Sequence, residues 1–75
     1  MIDVGIAGAA GRMGKTLVDV VGAEPVARVT AALERPGLPG LGRDAGEIAG
    51  VGMLGVAVTD DLEAVLASCG VLIDF

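Results

Sequence analysis

A glycine string in a fixed context limits this fold more than any other feature. The apolar run Ile2-Asp3-Val4-Gly5-Ile6-Ala7 ends at Gly8. Gly8-Ala9-Ala10-Gly11-Arg12-Met13-Gly14 follows, and a helical pattern then begins. A short run rich in β-branched residues and bounded by glycine reads as a buried parallel strand. Asp3 is its polar exception, near the strand's start, where solvent reaches. A strand that turns directly into a helix through Gly8-x-x-Gly11-x-x-Gly14 gives each glycine a separate task. Gly8 permits the tight turn, Gly11 clears space where a ligand's phosphate would approach, and Gly14 lets the helix lie close to the sheet.

The remaining chain alternates in the same manner. Met13, Leu17, Val20 and Val21 fall on one face of the first helix, and Gly22 is a reasonable stop. Pro25 precedes a second strand over Val26–Leu33, which leads into Glu34-Arg35 and is broken by Pro36-Gly37. Residues 36–55 form a glycine- and proline-rich connection, long enough to suggest function or mobility, in which Asp44 to Ala49 fits a helical turn. Gly55 to Thr59 reads as a third strand. Asp60 with Glu63 reads as a capping box opening a second main helix, whose inner face is Leu62, Val65, Leu66 and Cys69. Gly70 closes that helix, and Val71 to Phe75 reads as a fourth strand. The expected class is therefore α/β: a Rossmann-type parallel sheet, its first four strands carrying two main helices, with right-handed crossovers. Residues 1–75 read as the N-terminal part of one such domain. A strand at the last residue suggests a truncated domain whose substrate domain is absent.

Composition narrows the partners. The net charge is -5, which lacks the basic footprint expected of a nucleic-acid binder. No apolar stretch is long enough to cross a bilayer, and Met1-Ile2-Asp3 lacks a signal-peptide pattern. Cys69 is the lone cysteine and reads as a small core residue in a reducing compartment, so the expectation is a cytoplasmic protein. Without histidine, a metal site is not expected.

The chemistry implied is dinucleotide binding. A pyrophosphate would sit on the first helix's N-terminus, touching backbone N–H groups of the glycine string. Glu34 lies 20 residues past Gly14, at the end of the second strand, where a carboxylate accepts hydrogen bonds from the adenosine ribose. Arg35 either grips a 2′-phosphate or is a solvated loop residue. A carboxylate beside a guanidinium suggests tolerance of both NADH and NADPH. Arg12 either meets the phosphates or is a surface charge, though a cation there opposes the helix dipole. Met13 reads as core more than cofactor wall. Asp60-Asp61 reads as a helix cap with first-turn charge, and Asp44 and Glu47 as capping or solvated residues. No nucleophile–base pair is present, and no catalytic residue is assigned.

Several stretches together resemble the N-terminal part of the 4-hydroxy-tetrahydrodipicolinate (dihydrodipicolinate) reductase family. They are the glycine loop with its Arg12-Met13 pair, Ala31 to Arg35, Asp44 to Gly50, Val58 to Leu62 and Val71 to Phe75. The resemblance implies an NAD(P)H-dependent reductase of bacterial lysine and diaminopimelate synthesis. Such an enzyme transfers hydride to the cyclic dicarboxylate precursor of tetrahydrodipicolinate. It further implies that residues 8–13 cradle the phosphates, Glu34 holds the ribose and Arg35 takes the 2′-phosphate. The family's substrate domain, catalytic groups and homotetramer-forming sheet would follow Phe75, so this segment alone is expected to be inactive. Rival readings are another Rossmann dehydrogenase, an NAD(H)-binding sensor without catalysis, and a structural module without ligand.

Overall fold

The computed structural model describes residues 1–74. The apolar run at the start becomes β1 (Ile2–Ala7), followed by α1 (Arg12–Gly22), β2 (Ala27–Leu33), α2 (Ala45–Ala49), β3 (Val58–Thr59), α3 (Leu62–Ser68) and β4 (Val71–Ile73). The strands form one sheet in the order β3-β2-β1-β4, every neighbouring pair parallel. That is the first part of the doubly wound order, so the Rossmann-type expectation holds. The predicted fourth strand is described over Val71–Ile73, Asp74 lies past its end, and the predicted last residue, Phe75, lies outside the described residues.

β1 is central because both its faces are apolar. Val4 and Ile6 point to one side and join Val18 and Val21 of α1 and Val29 and Ala32 of β2 in the main core. Gly5 points to the other side, where α3 ends. A Cβ on Gly5 would lie 2.7 Å from the Cys69 Sγ, so the strand carries glycine where that turn packs. The partly buried thiol also donates to the Val65 carbonyl oxygen at 3.2 Å, consistent with Cys69 as a small packing residue. A register shift between Val4 and Gly5 leaves Thr30 unpaired in β2, and the Thr30 hydroxyl donates to the Ser68 carbonyl oxygen of α3. At the opposite end of the sheet, Asp3 faces Arg28 across β1 and β2, and the two join at 2.7 Å. The Arg28 hydrogen bond holds the Asp3 carboxyl below its ordinary value. Both groups are solvated, so this pair fixes register more than it adds stability.

Three sequence expectations are corrected. The buried residues of α1 are Gly14, Val18 and Val21, with Leu17 partly buried beside them, while Met13 and Val20 are exposed. Residues 14, 17, 18 and 21 also satisfy helical spacing. Gly14 settles the choice because only a residue without a side chain can lie against the backbone of Gly8 and Ala9. In α3 the N-cap is Asp61, whose carboxylate accepts from the Ala64 N–H, and no Asp60–Glu63 box forms. The Thr59 hydroxyl accepts from the Asp61 N–H and carries the turn one residue further. Leu62 and Leu66 are consequently exposed, and Val65 alone is buried from that helix.

The third correction concerns the long connection. The predicted strand at Gly55–Thr59 is only Val58–Thr59. Residues 56–58 pair with the connection itself, Val58 doing so on the edge away from β2: the Ala45 N–H donates to Val56, the Val58 N–H to Arg43 and the Gly42 N–H to Val58. Asp44 holds this arrangement together. Its carboxylate caps α2 through the Gly46 and Glu47 N–H groups and also accepts from Leu54 and Val56. These bonds, that from Leu54 foremost, hold the Asp44 carboxyl below its ordinary 3.8. A lowered folded value stabilises the fold above the ordinary one and loses that contribution as pH falls through the folded value. Asp44→Ala is therefore expected to speed amide exchange at Leu54 and Val56 at neutral pH. Acidification through the lowered folded value should reduce the protection of the same two amides relative to their intrinsic exchange rate at that pH in the unaltered chain. Unchanged exchange at both amides in the variant would refute this role.

Candidate functional site: the carboxyl edge of the sheet

The glycine loop is built by the end of β2. The Gly8 and Ala9 N–H groups both donate to the Leu33 carbonyl oxygen, at 2.9 and 3.2 Å. The Ala10 N–H donates to the Glu34 Oε2 at 3.1 Å. Gly8 adopts φ +73, a backbone conformation that L side chains rarely reach, so the turn out of β1 needs glycine there. The Gly11 N–H then closes onto the Gly8 carbonyl oxygen at 3.0 Å, and Gly11, in an extended conformation, becomes the N-cap of α1. Glycine supplies no side-chain cap, and the first turn holds no acidic residue. The leading N–H groups of α1 thus keep their positive end available to an anion.

Gly14 controls how closely α1 approaches. A Cβ placed there would lie 2.0 Å from the Gly8 carbonyl oxygen and 2.7 Å from the Ala9 Cα. Both are backbone atoms that cannot swing away. The connection after β2 also closes over the loop, since a Cβ on Gly40 would meet the Ala10 Cβ at 2.9 Å.

Gly8, Glu34 and Arg35 line one open cavity of about 380 Å³ at the carboxyl ends of the strands. Ala7, Leu33, Asp60, Leu62 and Asp74 complete it. Glu34 is only 8% exposed, yet both its oxygens are partnered, since Oε1 accepts the Arg35 N–H at 3.0 Å. The Arg35 residue itself is exposed. Ala9 is fully buried beneath the loop, Ala10 half-buried, and Gly11 exposed.

Of the predicted cofactor-binding residues, Ala9, Ala10, Gly11, Arg12 and Met13 do not line this cavity. Met13 is 54% exposed on the outer side of α1, which overturns its reading as a core residue. Arg12 lies beside Lys15, Thr16 and Asp19 of α1, across from Ile48 to Gly50 of the connection. Sequence reasoning missed Asp60, Leu62 and Asp74 as lining residues, having assigned Asp60 and Leu62 to the start of α3 alone. The available signal was positional: each lies just beyond the carboxyl end of a parallel strand, where crevices of doubly wound sheets open.

Such an edge suits a nucleotide, and the comparison with known proteins is decisive. A family model described as the N-terminus of dihydrodipicolinate reductase matches residues 2–75. The chain belongs to the dihydrodipicolinate reductase family. Among curated reductases of this family it is similar to the 4-hydroxy-tetrahydrodipicolinate reductase of Alkalilimnicola ehrlichii, 57% identical over 72 residues, which are 96% of this chain and 27% of that protein. The reductase of Trichlorobacter lovleyi is 55% identical over 75 residues, 100% of this chain and 28% of that protein. That of Sinorhizobium medicae is 59% identical over 68 residues, 89% and 25%. The chain thus spans little more than a quarter of the length of these reductases, and the family model it matches is that of their N-terminus. No helix among the described residues is long and apolar enough to cross a membrane.

Proposed function

We propose that this chain binds the adenosine and pyrophosphate of NADH or NADPH as the front part of a 4-hydroxy-tetrahydrodipicolinate reductase. The observation that carries the reading is the uncapped start of α1, which Gly14 lets pack against the Gly8 carbonyl, reached through a loop whose Ala10 N–H donates to Glu34. A pyrophosphate fits there because the leading N–H groups of α1 have no side-chain cap, whereas the N–H groups of Gly8, Ala9, Ala10 and Gly11 are already bonded within the protein and shape the loop. In this reading Gly8, Ala9, Ala10, Gly11, Arg12 and Met13 form the phosphate cradle. Glu34 accepts from the adenosine ribose hydroxyls, and Arg35 meets a 2′-phosphate when the cofactor is NADPH.

The bound dinucleotide supplies the hydride, delivered to the cyclic dicarboxylate precursor of tetrahydrodipicolinate in lysine and diaminopimelate synthesis. The residues described here bind and orient, and no group among them is assigned a proton transfer. Substrate contacts and the homotetramer belong to the full-length protein, which we place in the cytoplasm.

Calorimetric titration of the full-length protein with NADH and NADPH tests the reading. Binding of neither cofactor would refute it. Arg35→Ala is expected to weaken NADPH by about tenfold or more while leaving NADH nearly unchanged, as loss of a charge-assisted contact to phosphate requires. Equal losses for the two cofactors would remove Arg35 from the 2′-phosphate role.

A further inference from the structure

Three consecutive N–H groups at the start of the glycine loop are fastened to the end of β2, but by different means. Gly8 and Ala9 donate to a backbone carbonyl, that of Leu33, which any residue would supply. Ala10 donates to the Glu34 side chain, which only a suitable residue supplies. The same carboxylate is turned in the other direction by the Arg35 N–H, and its own backbone N–H is tied to the Thr59 carbonyl oxygen of β3 at 2.8 Å. Glu34 is therefore held from three sides and is nearly buried, although it lines the open cavity. A carboxylate oxygen accepts about two hydrogen bonds. One acceptor direction on each oxygen is taken by the protein, and one remains for the cavity.

We infer that Glu34 is a positioning residue for the phosphate cradle as well as a contact for the ribose. It latches Ala10, so that the glycine loop is already in its binding shape before any nucleotide arrives. This rests on the dinucleotide reading above and adds a prediction that a ribose contact alone does not make. If Glu34 served only the ribose, its loss would not affect a nucleotide lacking the ribose hydroxyls. If it also shapes the loop, such a nucleotide is weakened too, because its phosphates meet a loop that must first be ordered. The two subsites then behave as one coupled unit, and the losses from altering the protein and the ligand are not additive.

The test uses the full-length protein with ADP and 2′,3′-dideoxy-ADP as probes, together with amide exchange at Ala10 in the absence of nucleotide. Glu34→Ala is expected to weaken dideoxy-ADP by about tenfold and to speed exchange at Ala10 by a similar factor, the scale of one lost charge-assisted hydrogen bond. Glu34→Gln keeps one side-chain oxygen for the Ala10 N–H and sets its amide nitrogen against the Arg35 N–H, which loses its acceptor. It should recover part of the dideoxy-ADP binding and Ala10 protection lost in Glu34→Ala while ADP, with its ribose hydroxyls, stays weakened. A general loss of stability would not produce that separation. Should Glu34→Ala fail to fold, Glu34→Asp replaces it, keeping the charge while withdrawing it from Ala10. Unchanged dideoxy-ADP affinity with unchanged Ala10 exchange overturns the latch. Should the unaltered protein bind neither nucleotide, the dinucleotide reading falls, and Ala10 exchange in the Glu34 variants still decides whether the latch exists.

Discussion

Gly14→Ala is expected to abolish dinucleotide binding and to destabilise the domain by about 1–3 kcal/mol, the range for forcing extra volume into a packed site. A single methyl is enough because of what it meets. The new Cβ would stand 2.0 Å from the Gly8 carbonyl oxygen and 2.7 Å from the Gly8 carbonyl carbon and the Ala9 Cα. None of these atoms belongs to a flexible side chain, so either α1 lifts from the sheet or the turn at Gly8 is displaced. Both responses move the leading N–H groups of α1 away from the place where phosphate oxygens would be held. Calorimetry with NADPH, alongside a urea unfolding curve, reads the two effects separately. Gly22→Ala is the control, since a Cβ there meets nothing within 4 Å at the far end of the same helix. A Gly14→Ala protein that binds NADPH as the unaltered one does would sink this account of the close approach.

Ile6→Ala is expected to cost about 2–5 kcal/mol, the range for truncating a large buried aliphatic residue. Ile6 is fully buried in the central strand and pairs with Ala32 on one side and Ile73 on the other. The buried core around it is made of small residues, Ala9, Ala32 and Ala45 among valines, while the longer Leu17, Leu41, Ile48 and Ile73 pack on it only partly buried. A domain of this size buries only about 60% of the surface its unfolded chain exposes, so the margin is narrow. The urea midpoint of the domain's transition is the measurement. A midpoint unchanged from the unaltered protein would mean that Ile6 does not anchor the sheet.

The parts of the fold that were legible in the sequence are those with a single physical solution. The run from Ile2 to Ala7, ending at a glycine string, specified a buried strand turning into a helix, and the structure holds that unit over the same residues. Asp44 ahead of Ala45 to Ala49 likewise announced a capped turn of helix. What misled was a choice between near-equivalent patterns. Val18 and Val20 are equally apolar, and only the contact between Gly14 and the Gly8 backbone determines which one faces inward. Asp60 and Asp61 are equally good caps, and the Thr59 hydroxyl selects the second. The shortness of β3 was invisible for another reason. Residues 56–58 find partners in 42–45, and a pairing between two irregular segments leaves no periodic trace. Within the candidate site, Glu34 was legible as an acidic residue at a strand end. That its oxygens are occupied by Ala10 and Arg35 could be learned only from the geometry.

The fastening of the long connection at Asp44 has a consequence for chain entropy. Its carboxylate gathers N–H groups as far apart as Gly46 and Val56, so the residues between them form a ring closed at its base. Gly50, Gly52 and Gly55 adopt positive φ, and Val51 and Met53 are exposed along its rim. The free energy of a closed ring grows only logarithmically with its length, by about 0.6 kcal/mol for each doubling. Extra residues at that rim would therefore lengthen a tether already anchored at both ends. The anchoring bonds would leave the spacing between β2 and β3 as it is, and with it the width of the crevice those strands help to frame.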